Sequence, residues 1–555
     1  MKHWSGCLRN VLRCGIAVLL VCGFVILAAG QVFAKDMNRE AEDRVAFGLI
    51  PDVTPVCNDG VAAGVQTFTL KGEREFTLTG VTLSLEGTTD LSDIEEIGVV
   101  WRRKAGDVPW ASTKKIGLSV DLKGKLLFKA SNEHRLQVWV RTKKNADLLH
   151  LIGAQLEQLE FADGQTMSGA ELKDTGTVVA PRRLAYPIHR QGDFDCHTFR
   201  IPGIAKANNG DLLAVYDMRY NSRRDLQEHI DIGLSRSRDG GQTWEPPRPI
   251  MDMGEFGGKP QKENGCSDPG ILVDTATGEI FVAACWTHGK PNSHQWSGRG
   301  SEPGLGIQTS TQFMVVRSED DGENWGKPEN WTKMLKDPKW YLFAPAHGNG
   351  ITLKNGTLVF PTQGRDEQGH PFSNLTWSND HGKTWNVSSA ARDDTTECSV
   401  AELSNGELML NMRDNRNRRI KDKDGNGRAV STTDDLGKSW KVHLSDHALL
   451  PEPTCMASLI GFEQRGRQRL FFSNPRNKTR RAGMTVQMSD DDGKTWKAEN
   501  RILLDSLGGA YSSLVMIDDK TIGILYESSV ADFVFQKIPL SDFEKAAKSL
   551  SLIHI

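Results

Sequence analysis

The sequence predicts an all-β protein, a β-propeller preceded by a small β-sandwich, and two observations carry that reading. The first is an eight-residue pattern, Ser/Thr-x-Asp-x-Gly-x-Thr/Ser/Asn-Trp, which recurs five times, at 237–244, 318–325, 378–385, 433–440 and 489–496. Its last three steps, tryptophan to tryptophan, are 60, 55 and 56 residues, about the length of one four-stranded blade. The second is a set of short β-branched or aromatic segments nearer the N-terminus, TFTL at 67–70, FTLT at 76–79, IGVVW at 97–101 and LQVWV at 136–140, separated by polar turns. That spacing suits a sandwich.

The repeat is structural chemistry. Its Asp and Ser/Thr side chains hydrogen-bond the amides of a tight turn, its Gly accepts a positive φ, and its Trp supplies an apolar wedge. Copies follow strand-like runs such as 313–316 and 484–486, so each marks a hairpin inside a blade. Such boxes also occur in propellers that only bind, so they predict architecture and leave the activity open.

Composition limits the rest. The 555 residues leave room for two or three domains. A formal charge of −3 offers no basic field for a nucleic acid. Lys2, Arg9 and Arg13 precede an apolar run over 14–30, and Val32-Phe33-Ala34 supplies small residues for a signal peptidase. A signal peptide over 1–34 and an exported mature protein without stable membrane insertion are expected. An uncleaved anchor and a lipid attached at Cys22 are the alternatives. The sandwich is expected over 35–180, to bind carbohydrate or to pack on its neighbour, and the propeller over 185–545, with a basic junction at Pro181-Arg182-Arg183. Of nine cysteines, Cys57, Cys196, Cys266, Cys285, Cys398 and Cys455 lie beyond the signal segment. They are scattered without a CxxC, and buried free thiols are expected. Asp422-Lys-Asp424-Gly-Asn426-Gly427 imitates a calcium loop but has Thr433 where the loop needs Glu, so no metal is expected there.

The motif Phe199-Arg200-Ile201-Pro202-Gly203 stands ahead of the first repeat. Arg-Ile-Pro followed by several Asp boxes resembles the sialidase (neuraminidase) superfamily, and the bacterial exo-sialidases in particular. The likeness runs from His189 to the C-terminal region. It implies six blades, an active site on the face opposite the Asp boxes, sialylated glycans as partners, and no metal or organic cofactor. It implies substrate-binding arginines at Arg200, at Arg413 in Leu410-Asn411-Met412-Arg413, and at Arg481, with Arg480 the rival for the third place. Sialic acid carries a carboxylate on its anomeric carbon, and guanidinium forks bind carboxylates bidentately at any relevant pH. Glu527, in Leu525-Tyr526-Glu527, matches the carboxylate that orients the first arginine.

The same resemblance implies a tyrosine nucleophile, Tyr511 in Gly508-Gly509-Ala510-Tyr511, one of six tyrosines in the chain. Among retaining glycosidases a Tyr nucleophile is the sialidase exception. A neutral phenol approaches a substrate whose own carboxylate would repel Asp or Glu. Phenol ionises near pH 10, so it needs a base. Glu397 matches that base, selected over Glu402 by its spacing to Arg413, and nearby arginines are expected to favour phenolate. Asp225, six residues after Arg219, is expected to be the acid/base, with Asp217 its weaker rival. Arg219 is expected to line the pocket, and Asp268 in Ser267-Asp268-Pro269 to contact the sugar. Trp286 packs either on the N-acetyl group or in the core. The resulting expectation is a retaining exo-α-sialidase. A propeller lectin and a trans-sialidase are the alternatives, the lectin disfavoured because it needs no Tyr, Glu and Asp together.

Overall fold

The computed structural model describes residues 45–172, 180–289, 300–419, 425–464 and 466–544. The expected signal segment and the start of the calcium-like loop lie outside them. Near the N-terminus a five-stranded sheet, in the order Ala46–Ile50, Ala62–Lys71, His134–Thr142, Ile94–Arg102, Val108–Thr113, shares a core with a four-stranded sheet. The second sheet is ordered Thr166–Ser168, Gln155–Phe161, Phe76–Ser84, Ser119–Phe128. Alternation on these strands buries Phe68, Leu78, Val99, Phe128 and Val138 in one cluster.

From Arg182 onward the described residues form six sheets, antiparallel but for the short parallel pairing of Gly348–Asn349 on Cys266–Val273. Their inner strands are Thr198–Lys206, Cys266–Val273, the broken Leu342–Pro345 and Ile351–Thr352, Thr395–Glu402, Ser458–Gln464 and Ser512–Met516. Successive sheets pack through their inner strands, except that Thr395–Glu402 meets Leu358–Arg365 where the third inner strand is broken, and the sixth inner strand packs on the first, which closes the ring of a β-propeller. Closure is sealed by the chain itself. Arg182–His189 adds an outer strand beside Phe533–Pro539, so residues some 350 apart in sequence share the sixth sheet. That strand also pairs with Val56–Cys57 and Leu151–Ile152 of the N-terminal region. The basic segment read as a junction is thus a hydrogen-bonded strand, because the ring needs an outer strand for its last sheet. No helix among the described residues is long and apolar enough to cross a membrane, and the six cysteines among them are buried and free.

The five repeats adopt one turn. In the first, the Ser237 hydroxyl donates to Asp239 Oδ1 (2.8 Å) and accepts from the Gly241 amide (2.7 Å). Thr243 donates its amide and hydroxyl to the two Asp239 oxygens (2.9 and 2.6 Å), and the Trp244 indole donates to Gly241 O (3.1 Å). Gly241 is obligatory. Its φ is +89°, and a Cβ there would lie 2.0 Å from Phe535, so the first turn rests on the sixth sheet. Burial pushes the Asp239 carboxyl up, but the two bonds from Thr243 prevail and hold it below its ordinary range. A depressed acid stabilises the fold above its unfolded value, near pH 4, and loses that contribution as pH falls through the folded value. Asp239→Ala is therefore expected to lower Tm by about 1–4 °C at pH 7, with the deficit shrinking below about pH 3. Equal Tm values at pH 7 would refute a stabilising role for the turn.

Candidate active site

Inner strands and third strands run away from one face of the ring, and second strands run toward it. The repeats follow third strands such as Ile230–Ser237 and Met484–Ser489, so they stand on the far face. The residues singled out by motif stand on the near face, at the starts of inner strands (Arg200, Asp268, Glu397, and Tyr511 just ahead of Ser512) and the ends of second strands (Arg219, Arg413). There a cavity of about 410 Å³ is lined by Arg200, Asp225, Asp268, Glu397, Arg413, Arg481 and Tyr511, with Gln363, Arg365 and Arg418 beside them. Glu402 ends its strand at the opposite mouth, in a separate cavity of about 340 Å³, and donates nothing to the site.

Backbone irregularity aims these side chains. Pairing slips between Arg200 and Gly203, between Ser267 and Gly270, and between Thr395 and Cys398. Ile201 and Asp268 sit at φ 63° and His347 at φ 52°. A β-branched residue in the left-handed region is strained, and Ile201 costs of order 1–3 kcal/mol. The strain bends the inner strands where their side chains enter the cavity. Ahead of Tyr511, Gly509 turns at φ +110°, where a Cβ would lie 2.7 Å from Met484.

At the floor, the Tyr511 hydroxyl donates to Glu397 Oε1 at 2.6 Å. Arg413 Nη1 donates to both Glu397 oxygens at 2.5 Å and to Tyr511 Oη at 3.0 Å. The guanidinium carbons of Arg200 and Arg481 lie 5.2 and 5.3 Å from the Tyr511 ring centre. Arg200 is held by Glu527 through two bonds of 3.0 and 3.2 Å, and Glu527 also accepts from the Ile201 amide. Arg481, and not Arg480, lines the cavity; Arg480 uses its amide to close a turn on Asn477.

Burial pushes the Glu397 carboxyl up, but the Arg413 charge overrides it and leaves Glu397 ionised far below the usual range. Tyr511 behaves oppositely. Burial and then the Glu397 charge raise its phenol well above its ordinary value, and Arg413 and Arg481 oppose this only in part. The arginines favour phenolate as expected, but burial and then the Glu397 charge outweigh them, and this site holds the phenol protonated.

The expected place of Arg219 is corrected. Arg219 is wholly buried and stands behind the cavity wall. It donates to Asp217 through Nε and Nη2 (3.1 and 2.8 Å) and to Asp225 Oδ1 through Nη1 (2.9 Å). Asp217, the rival acid, accepts from Ser267 and the Asp268 amide as well, which leaves it no free face. Asp225 keeps 39% of its side chain exposed at the rim. Trp286 is fully buried and donates to Asn264 at 2.6 Å, a core role. Asp268 lines the cavity, its carboxyl raised by burial and by Asp217 against the pull of His347. His347, Gln363, Arg365 and Arg418 were not legible from motifs. His347 sits in Pro345-Ala346-His347-Gly348, where a lone histidine among small residues reads as core.

The near face of the propeller thus gathers arginine forks, a Tyr–Glu couple and a rim carboxylate around one cavity. A family profile described as BNR repeat-like domain matches residues 210–525. The chain is 48% identical over 368 residues to a sialidase of Bacteroides fragilis, covering 65% of this chain and 66% of that one. It is 34% identical over 349 residues to a sialidase of Micromonospora viridifaciens, covering 59% of this chain and 50% of that one. The matched stretch thus spans less than two thirds of either relative. Among solved structures, the Hadza microbial sialidase Hz136 superposes with a TM-score of 0.80 at 36% identity, over 89% of this chain and 99% of that one. The chain belongs to the BNR-repeat sialidase family.

Proposed function

We propose that the chain is a retaining exo-α-sialidase that releases terminal sialic acid from glycans through a tyrosyl intermediate. The observation that carries this is the 2.6 Å bond from Tyr511 to an ionised, part-buried Glu397 in the cavity lined by the three guanidiniums of Arg200, Arg413 and Arg481. The substrate carboxylate docks on those guanidiniums, which sets the anomeric carbon over Tyr511 Oη. Tyr511 attacks that carbon as its proton passes to Glu397, and Asp225 protonates the departing glycosidic oxygen as its bond to carbon breaks. Water then enters from the rim and loses a proton to Asp225. It displaces the tyrosine, which recovers its proton from Glu397. Two inversions give retention. The side chains that do this are all in the chain itself. Arg219 fixes Asp225 on its loop, and Glu527 fixes Arg200.

The test is incubation with sialyllactose and identification of the products. Free sialic acid and lactose are expected. Intact substrate with measurable binding would replace the reading by a lectin; sialyl transfer or an anhydro product would replace hydrolysis by a trans-sialidase reaction.

The role of Asp225 has a signature in the leaving group. General acid catalysis supplies about 10²–10⁴-fold. In single turnovers, Asp225→Asn is expected to lose most of that with sialyllactose, whose leaving alkoxide needs a proton. With a 4-methylumbelliferyl sialoside, whose leaving anion is already stable, the loss in glycosylation is far smaller. Equal losses with both substrates would remove Asp225 from the role.

A further inference from the structure

We propose that His347 is a positioning residue for the Tyr511–Glu397 couple, holding the phenol ring in its plane and supplying a hydrogen bond to Glu397 when the substrate carboxylate draws on Arg413. The inference rests on the reading of Tyr511 and Glu397 as nucleophile and base.

Three features of His347 converge. Its backbone occupies the left-handed region at φ 52°, at the break in the third inner strand, a conformation that few residues other than glycine adopt without a local reason. Its ring stacks on Tyr511, with centroids 5.1 Å apart and planes 19° from parallel. Its Nε2 is buried without a hydrogen-bond partner, 3.6 Å from Glu397 Oε1. That distance is too long for a bond and short enough to become one by a small closure. A bare lone pair on Nε2 would be repelled by the Glu397 carboxylate. The proton therefore belongs on Nε2, which makes the atom a donor held in reserve.

The reserve has a use because Arg413 is oversubscribed. One nitrogen, Nη1, serves both Glu397 oxygens and Tyr511 Oη. An entering carboxylate competes for that guanidinium, and each part of Arg413 it takes loosens the hold on Glu397. Loosening has a benefit, since a carboxylate less stabilised as an anion is a better base. It also has a cost, since Glu397 becomes free to rotate off the phenol. A donor from His347 on the other side keeps Oε1 aimed at Tyr511 Oη through that exchange. The stacked imidazole meanwhile keeps the ring from tipping as its oxygen advances on carbon.

His347→Phe retains a stacking ring and removes the nitrogen, whereas His347→Gln retains a terminal N–H and removes the ring. His347→Phe is expected to lower kcat with a 4-methylumbelliferyl sialoside, and the rate of covalent labelling by a fluorinated sialoside, by about 10–100-fold, with KM within about twofold. His347→Gln is expected to recover part of the kcat loss. A His347→Phe variant with full kcat and full labelling rate would overturn the proposal while leaving the sialidase reading intact. A second measurement needs no turnover. In ¹⁵N-histidine spectra of the wild-type protein, with His347 assigned by difference, an Nε2–H tautomer is expected, shifting downfield when a 2,3-didehydro sialic acid analogue binds. A bare Nε2 in both states overturns the proposal whatever the protein hydrolyses.

Discussion

Arg413→Ala is expected to abolish measurable hydrolysis and to destabilise the protein at neutral pH. The guanidinium is the counter-charge of a carboxylate with 13% of its side chain exposed. Removing one partner of a buried pair costs about 3–5 kcal/mol, because the other charge is left uncompensated. The pH dependence follows from the direction of the Glu397 shift. In the wild type its folded value is depressed, so its contribution is present above the unfolded value near pH 4.3 and is lost as pH falls through the depressed value. In the variant, burial is left to push the carboxyl up. The gap in thermal stability between the two proteins should be widest near pH 7.5 and narrow as pH falls, closing only below the depressed Glu397 value. Affinity for free sialic acid should fall as well, by about 10- to 150-fold for one charged contact. Arg413→Lys keeps the charge without the fork and should recover stability better than affinity. Unchanged affinity in Arg413→Ala would refute the placement of the substrate carboxylate.

Tyr511→Phe is expected to lower hydrolysis by about 10³-fold or more, since it removes the attacking atom and little else. The ring keeps its stack on His347 and its two guanidinium neighbours, so the fold should persist. Stereochemistry distinguishes this loss from a general disturbance. Wild type should release the α-anomer first in rapid NMR. Any residual turnover of Tyr511→Phe proceeds by direct attack of water, with one inversion, and should release the β-anomer. A fluorinated sialoside should add its mass to the peptide that contains Tyr511 in the wild type only. A variant with undiminished hydrolysis, or a wild type that releases the β-anomer first, would strip Tyr511 of its role.

The propeller was legible because its signal repeats. The Ser–Asp–Gly–Thr–Trp turn uses only neighbours in sequence, with Ser237, Asp239, Gly241 and Thr243 bonding one another, so each copy declares itself without reference to the rest of the chain. The residues of the near face were legible through the resemblance, where each sits in a short motif. Their partners were less so. That Glu397 and Tyr511, 114 positions apart, meet at 2.6 Å depends on two inner strands starting at one face of a closed ring.

The sequence by itself determined the all-β class, the five turns and the family's motif residues, because those rest on local hydrogen bonding and short-range pattern. Tertiary structure decided what burial and contact alone can set. It chose Arg481 over Arg480 by which of them reaches the cavity, and withdrew Arg219 behind Asp225 because Asp217 holds its fork. It kept Tyr511 protonated because a desolvated phenol beside a carboxylate resists ionisation more than the arginines promote it. It also brought His347, unremarked among small residues, against the Tyr511 ring. Electrostatic balance in a buried site is a sum over groups from many strands, and no single stretch of chain contains it.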